Sequence, residues 1–207
     1  MDTIASMTAS EMALLATQLA MGFALAASAG LRAFLPIFVV GLLARQGYLE
    51  LGASFEWMAG TPALTIFGSA VVFEILGDKF PAVDHALDAV GTIVKPVAGT
   101  LVAAALFTDL DPVIATALGL VAGGTTAATV HLLKAKTRLA STLFTAGFAN
   151  PVLSFAEDGF AFFAIALAIL VPVLAALAAI GLLALGVAIY RRQRRRRQAA
   201  PSAPVPG

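Results

Sequence analysis

Residues 159–190 run without one charged side chain. A soluble fold has no place for such a stretch. Roughly 18 uncharged apolar residues already make a helix long enough for the hydrocarbon of a bilayer. This tract is the last of a series, 12–29, 33–49, 59–77, 89–107, 112–131, 139–155 and 159–190. In lipid, backbone groups must bond within their own segment or around a closed barrel, and the tracts lack the alternation of barrel strands. The whole chain is 60% hydrophobic and 12% charged, against roughly 25% charged in a soluble domain. The expected fold is all-α: a polytopic membrane bundle of six or seven transmembrane helices. Broken or re-entrant helices are expected where SAGLRAF (28–34) and AGGTTAATVH (122–131) cluster small residues; plain close packing of helices is the simpler account of both.

The charge distribution orients the bundle. Of 13 basic residues, six lie in RRQRRRR at 191–197. Directly after an apolar span this is a stop-transfer signal held in the cytoplasm, in preference to a nucleic-acid patch. Counting back through seven crossings puts Lys134, Lys136, Arg138, Asp78, Asp84, Asp88 and Arg32 inside. Glu50, Glu56, Asp109, Asp111, Glu157 and Asp158 fall outside, with Arg45 the main exception to the positive-inside rule. The domain reading is a polar segment 1–11, a membrane domain 12–190, and a basic, then Pro/Ala-rich, disordered tail 191–207. Residue 12 onward reads as a retained span and not a removed signal peptide, since no basic leader precedes it. With no cysteine, disulfides, thiolate metal sites and cysteine nucleophiles are excluded. No phosphate loop, zinc-protease motif or nucleophile elbow is present.

Charges in or beside apolar tracts are costly and point to function. In FEILGDKFPAVDHALD (73–88), Glu74 and Asp78 are four apart and share a helix face. With Asp84, His85 and Asp88 they outline a site for a cation or proton, and oxygen ligands suit a hard divalent ion, although an interfacial helix with a wet acidic face serves equally for the last three. In HLLKAKTR (131–138), His131, Lys134 and Arg138 share a face suited to an anionic headgroup or phosphate, or simply to anchoring at the inner surface. In NPVLSFAED (150–158), Pro151 is expected to interrupt a helix. Asn150, Ser154, Glu157 and Asp158 supply oxygens around the break, as in many transporters. A kink beside a solvated outer loop is the alternative. Arg32 either pairs with Glu74 or Asp78 or snorkels to the inner headgroups.

SAGLRAFLP, GDKFPAVDHALD, VKPVAG, HLLKAKTR and NPVLSFAED, in that order, resemble a family of bacterial integral membrane proteins known as a domain of unknown function. The resemblance covers roughly residues 22–159 and implies a small multi-pass protein of the bacterial inner membrane, with no assigned substrate. Residues Glu74 to Lys79 are also similar to the acidic signature of manganese/calcium–proton exchangers, a glutamate, one apolar residue and Gly-Asp-Lys followed by a hydroxyl. Here two residues separate Glu74 from Gly77, and Phe80 stands in the hydroxyl position. The extra residue turns Glu74 by about 100° on a helix.

The functional expectation is a small secondary transporter or channel for a cation, not an enzyme and with no resident cofactor beyond a divalent ion. The alternative is a non-transporting scaffold or headgroup-binding module; an intramembrane lipid-modifying enzyme lacks a nucleophile here. Expected partners are the bilayer and anionic lipids at its cytoplasmic face, not nucleic acid, and self-association into a homo-oligomer is compatible with such a bundle.

Overall fold

The computed structural model describes residues 8–78, 80–146, 148–171, 174 and 191. The chain forms two compact units, Met1–Ile169 and Leu170–Gly207. The tail at 192–207 and most of 172–190 lie outside the described residues.

Helix α1, Ala9–Leu31, opens with a capping box. The Glu11 amide donates to Thr8 Oγ1 at 3.3 Å and the Thr8 amide to Glu11 Oε2 at 2.6 Å, which satisfies two otherwise orphaned N–H groups. α1 stops at Arg32, whose backbone is extended, and α2 (Phe34–Arg45) starts two residues later. SAGLRAF is thus a sharp break between two helices. At 12 residues, α2 covers only about 18 Å of the roughly 30 Å hydrocarbon. In the loop that follows, the Gly52 amide donates to the Ala105 carbonyl at 2.9 Å.

A 3-10 turn, Ala53–Ala59, leads into α3, Thr61–Gly77, with a bend of 63°. Helix α4 spans Pro81–Ala105. Its proline at the start is favourable, because the first amides of a helix have no intrahelical partner. Helix α5 runs Pro112–Thr145, 34 residues, started by Asp111, whose Oδ1 accepts from the Val113 amide at 2.8 Å. Helix α6 is Asn150–Val171.

The crossing of α4 and α5, level with Gly30 of α1, is locked by small residues. A Cβ on Gly99 would stand 2.5 Å from Ala127 Cβ and 2.7 Å from the Gly123 carbonyl. One on Gly119 would stand 2.7 Å from Ala104 Cβ. α4 and α5 therefore touch backbone to backbone, the arrangement that dispersion favours where lipid gives no hydrophobic drive. Residues Gly119–Gly124 take a π-helical turn within α5. AGGTTAATVH is accordingly continuous helix at a close crossing, neither unwound nor re-entrant.

Among the described residues the structure is all-helical, and four helices are long and apolar enough to cross a membrane, or up to five if the bent pair is one span. The tract 139–155 is not a crossing. α5 continues through its first half to Thr145, the chain reverses, and α6 begins at Asn150. Ala146 is left-handed with φ 51°. The turn is held by Thr145, whose carbonyl accepts from the Phe148 amide at 3.0 Å and whose Oγ1 accepts from the Ala149 amide at 3.2 Å. Pro151 consequently lies in the first turn of α6, where its missing N–H costs nothing. It interrupts no helix.

A buried ion-pair network as the candidate functional site

Six helix ends and faces converge below the small-residue crossing. Arg32, at the break between α1 and α2, is 0% exposed. Its Nη1 donates to Asp78 Oδ2 and, at 3.2 Å, to the Glu74 carbonyl. Its Nε donates to Asp158 Oδ1 at 2.6 Å and its Nη2 to Ser154 Oγ at 3.3 Å. Arg32 does not snorkel, because carboxylates inside the bundle outcompete the headgroups as partners.

Glu74 has a different task. Its Oε1 accepts from the Ala33 amide at 2.9 Å and its Oε2 from the Phe34 amide at 3.3 Å. A buried carboxylate thus caps the first amides of α2, which have no other acceptor in lipid. The same break that exposes those amides also frees Arg32 to turn inward.

The second half of the network lies between α4, α5 and α6. Arg138 grips Glu157 with both arms, Nε to Oε1 at 3.1 Å and Nη2 to Oε2 at 2.8 Å. It also donates to Asp84 Oδ1 and, at 3.2 Å, to Asp78 Oδ2. Such forked pairing is what guanidinium geometry provides. Lys134 Nζ lies 3.3 Å from Glu157, 3.6 Å from Asp78 and 3.7 Å from Asp88. Asp78 Oδ2 is therefore shared by three cations from two helices.

Helix periodicity builds this zipper. Residues 84, 88 and 95 fall on one stripe of α4, and 131, 134 and 138 on one stripe of α5. Because the helices are antiparallel, Asp84 meets Arg138, Asp88 meets Lys134, and Lys95 meets His131. On α6, Ser154, Glu157, Ala161, Ile165 and Ala168 form the buried stripe.

The network reaches deep. Asp84 to Lys95 covers about 16 Å along α4. Lys95 is buried, with Nζ 3.3 Å from His131 Nδ1 and 3.9 Å from Asp88 Oδ1. His131 Nε2 lies 3.4 Å from Thr92 Oγ1. Sequence reasoning passed over Lys95 within VKPVAG. Its spacing of seven from Asp88 and eleven from Asp84 is the signal that would have placed it on their stripe.

Of the residues expected to bind a cation, Glu74, Asp78, Ser154, Glu157 and Asp158 are brought together. Asn150 is not. Its Nδ2 donates to Thr142 Oγ1 at 3.2 Å, outside the network at the α5–α6 turn. Arg32, His131, Lys134 and Arg138, expected to face headgroups, point inward and are buried. Asp84 is taken by Arg138 and Asp88 stands among Lys95, Lys134 and Arg138. The side chain of His85 lies outside the described residues, and among those described no group of three or more His, Asp or Glu is placed to hold a metal ion.

Glu157 and Asp158 require one further correction. They do not lie on the opposite side of the membrane from Arg138 and Arg32; they touch them. Removing the crossing at 139–155 moves them to the same end.

The chain matches no curated protein and no solved structure. A family model described as a domain of unknown function, DUF4126, matches residues 19–192. That span takes in every member of the network, and the chain belongs to this family.

Proposed function

We propose that this membrane protein moves a cation across the bilayer, with the ion-pair network as both its site and its gate at one end. One observation carries the reading: two half-buried carboxylates stand at the edge of a buried, charge-matched network. Glu74, Asp78, Asp84 and Glu157 are buried against Arg32, Lys95, Lys134 and Arg138, whereas Asp88 and Asp158 keep side-chain exposures of 23% and 16%. Ionisable groups inside a membrane bundle that stay open to water mark where an entering cation can be met.

Lys134 and Arg138 point into the bundle, which weakens the alternative of a headgroup-binding module on that face. A helix scaffold remains the competing reading, favoured by the dense pairing of Asp78 and Glu157.

The orientation that fits is network end inward, in a bacterial inner membrane. Arg32, Lys134, Lys136 and Arg138 gather there, whereas Arg45, bonded to Thr61 at 2.9 Å, sits at the other end with Asp109 and Asp111.

The test is flux in proteoliposomes of the purified full chain. Cation-dependent movement of sodium, potassium, calcium, manganese or protons, lost in Asp88→Asn, is the expected result. Folded, correctly inserted protein that moves none of these would leave the network as a fastening.

A further inference from the structure

Lys95 and His131 meet at 3.3 Å, deeper in the bundle than any other part of the network. Two cations at that distance in a medium of low dielectric repel strongly, so the contact holds only while the pair carries a single positive charge. The surroundings fix where the protons are. Thr92 Oγ1 has one hydrogen and donates it to the Asp88 carbonyl at 3.3 Å. His131 Nε2, 3.4 Å from that same oxygen, must therefore be the donor to it. Nδ1 is left as a bare acceptor, and Lys95 ammonium donates to it. The room for this contact is built into α4. A Cβ on Gly91 would stand 3.2 Å from Lys95 Cε and 3.3 Å from His131 Cε1.

We propose that His131 Nδ1 is a proton-binding site and that the proton is the coupling ion of the transport inferred above, on which this proposal rests. One proton from the aqueous phase forms a bond to Nδ1, and the Lys95–Nδ1 hydrogen bond breaks. Lys95 keeps its own protons and turns to Asp88 Oδ1, now 3.9 Å away. That oxygen is buried and accepts no hydrogen bond, so it is ready to receive the ammonium. No other bond changes. The other charged groups around the pair are Lys134 on α5 and Glu74 on α3; Arg32 of α1 and Glu157 of α6 are engaged with Asp78, Asp158, Lys134 and Arg138. A proton on His131 and a cation beside Asp88 compete, because the first turns Lys95 onto that carboxylate. They therefore exclude each other, and the exchange is antiport.

Two measurements on the full chain test this. The first is nitrogen NMR of histidine-labelled protein in liposomes, with His131→Gln identifying the His131 signals. Expected at neutral pH is a ring protonated on Nε2 only, converting reversibly to imidazolium as the pH is lowered through the range in which the protein stays folded, with the tautomer ratio altered in Lys95→Met. The second is cation flux against a pH gradient. Expected is proton-coupled flux in the native chain and cation flux that no longer responds to the gradient in His131→Gln. A ring protonated on Nδ1, a ring that stays neutral across the range, or coupling unchanged in His131→Gln would overturn the proton site while leaving cation transport standing. Absence of flux in the native chain would overturn transport, and with it the coupling role; the spectra then decide alone whether Nδ1 binds a proton.

Discussion

Asp78 and Glu74 are one helical turn apart, and their environments make opposite demands on a substitution. Asp78 Oδ2 is the shared counter-ion of Arg32, Lys134 and Arg138. Asp78→Asn strands three buried cations, and removing one partner of a buried pair costs about 3–5 kcal/mol. Thermal unfolding in detergent or bicelles should show a large loss of stability, and Asp78→Glu should recover part of it. Glu74 bonds backbone amides. Glu74→Ala leaves the Ala33 and Phe34 N–H groups without an acceptor, at about 1–3 kcal/mol each. Glu74→Gln keeps one carbonyl oxygen and should cost about half as much. If Glu74→Ala and Glu74→Gln unfold at the same temperature as the native chain, the amides have another acceptor and the capping role is wrong. The pair of Arg138 and Glu157 is the place for a double-mutant cycle: its two-armed geometry should give a coupling energy on the order of 1–3 kcal/mol.

Among the helices, the crossing of α4 and α5 and the turn between α5 and α6 respond differently to small changes. Gly123→Leu forces a side chain toward Ala103 Cβ, 2.6 Å from where its own Cβ would sit, and should prevent normal packing. Gly159→Ala meets nothing within 4 Å and should be neutral or slightly stabilising. Ala146 holds φ 51°, a conformation costing an L-residue about 1–2 kcal/mol. Ala146→Gly should therefore raise the unfolding midpoint, and Pro151→Ala should change it little. This turn is also where the sequence was hardest to read. Lipid does not demand polar loops inside a protein interior, so residues 139–155 look like uninterrupted apolar span. Pro151 reads equally as a breaker or a starter until the helix direction is known. The all-helical class was legible in the apolar tracts, and so, as one alternative, was the pairing of Arg32 with Asp78. The convergence of Lys134 and Arg138 on Asp78 and Glu157 was not, because an expected crossing at 139–155 put Glu157 on the opposite face and left the basic residues to the headgroups. Lys95 escaped because it stands alone among Val94, Pro96 and Val97; only its register against Asp84 and Asp88 reveals it. The amide-capping role of Glu74 was not legible at all, since it depends on a helix break elsewhere in the chain.

For the whole molecule, topology is open to a clean measurement, because the chain has no native cysteine. Single cysteines at Ser141 and at Asp109 should label from opposite faces of the membrane, Ser141 from the cytoplasm. Labelling of both from one face would undo the six-ended convergence on which the site rests. Two parts of the bundle also differ in what water would do to them. At the Gly99–Gly123 crossing, cohesion is contact between neutral atoms, which wetting scarcely alters. At the Arg32–Asp78–Arg138 end, cohesion is Coulombic, and raising the effective permittivity from about 20 toward 80 weakens it roughly fourfold. A few water molecules admitted there would loosen that end and leave the other clenched. The bundle is thus a pair of tongs with a dry pivot and jaws that solvent itself can unlatch.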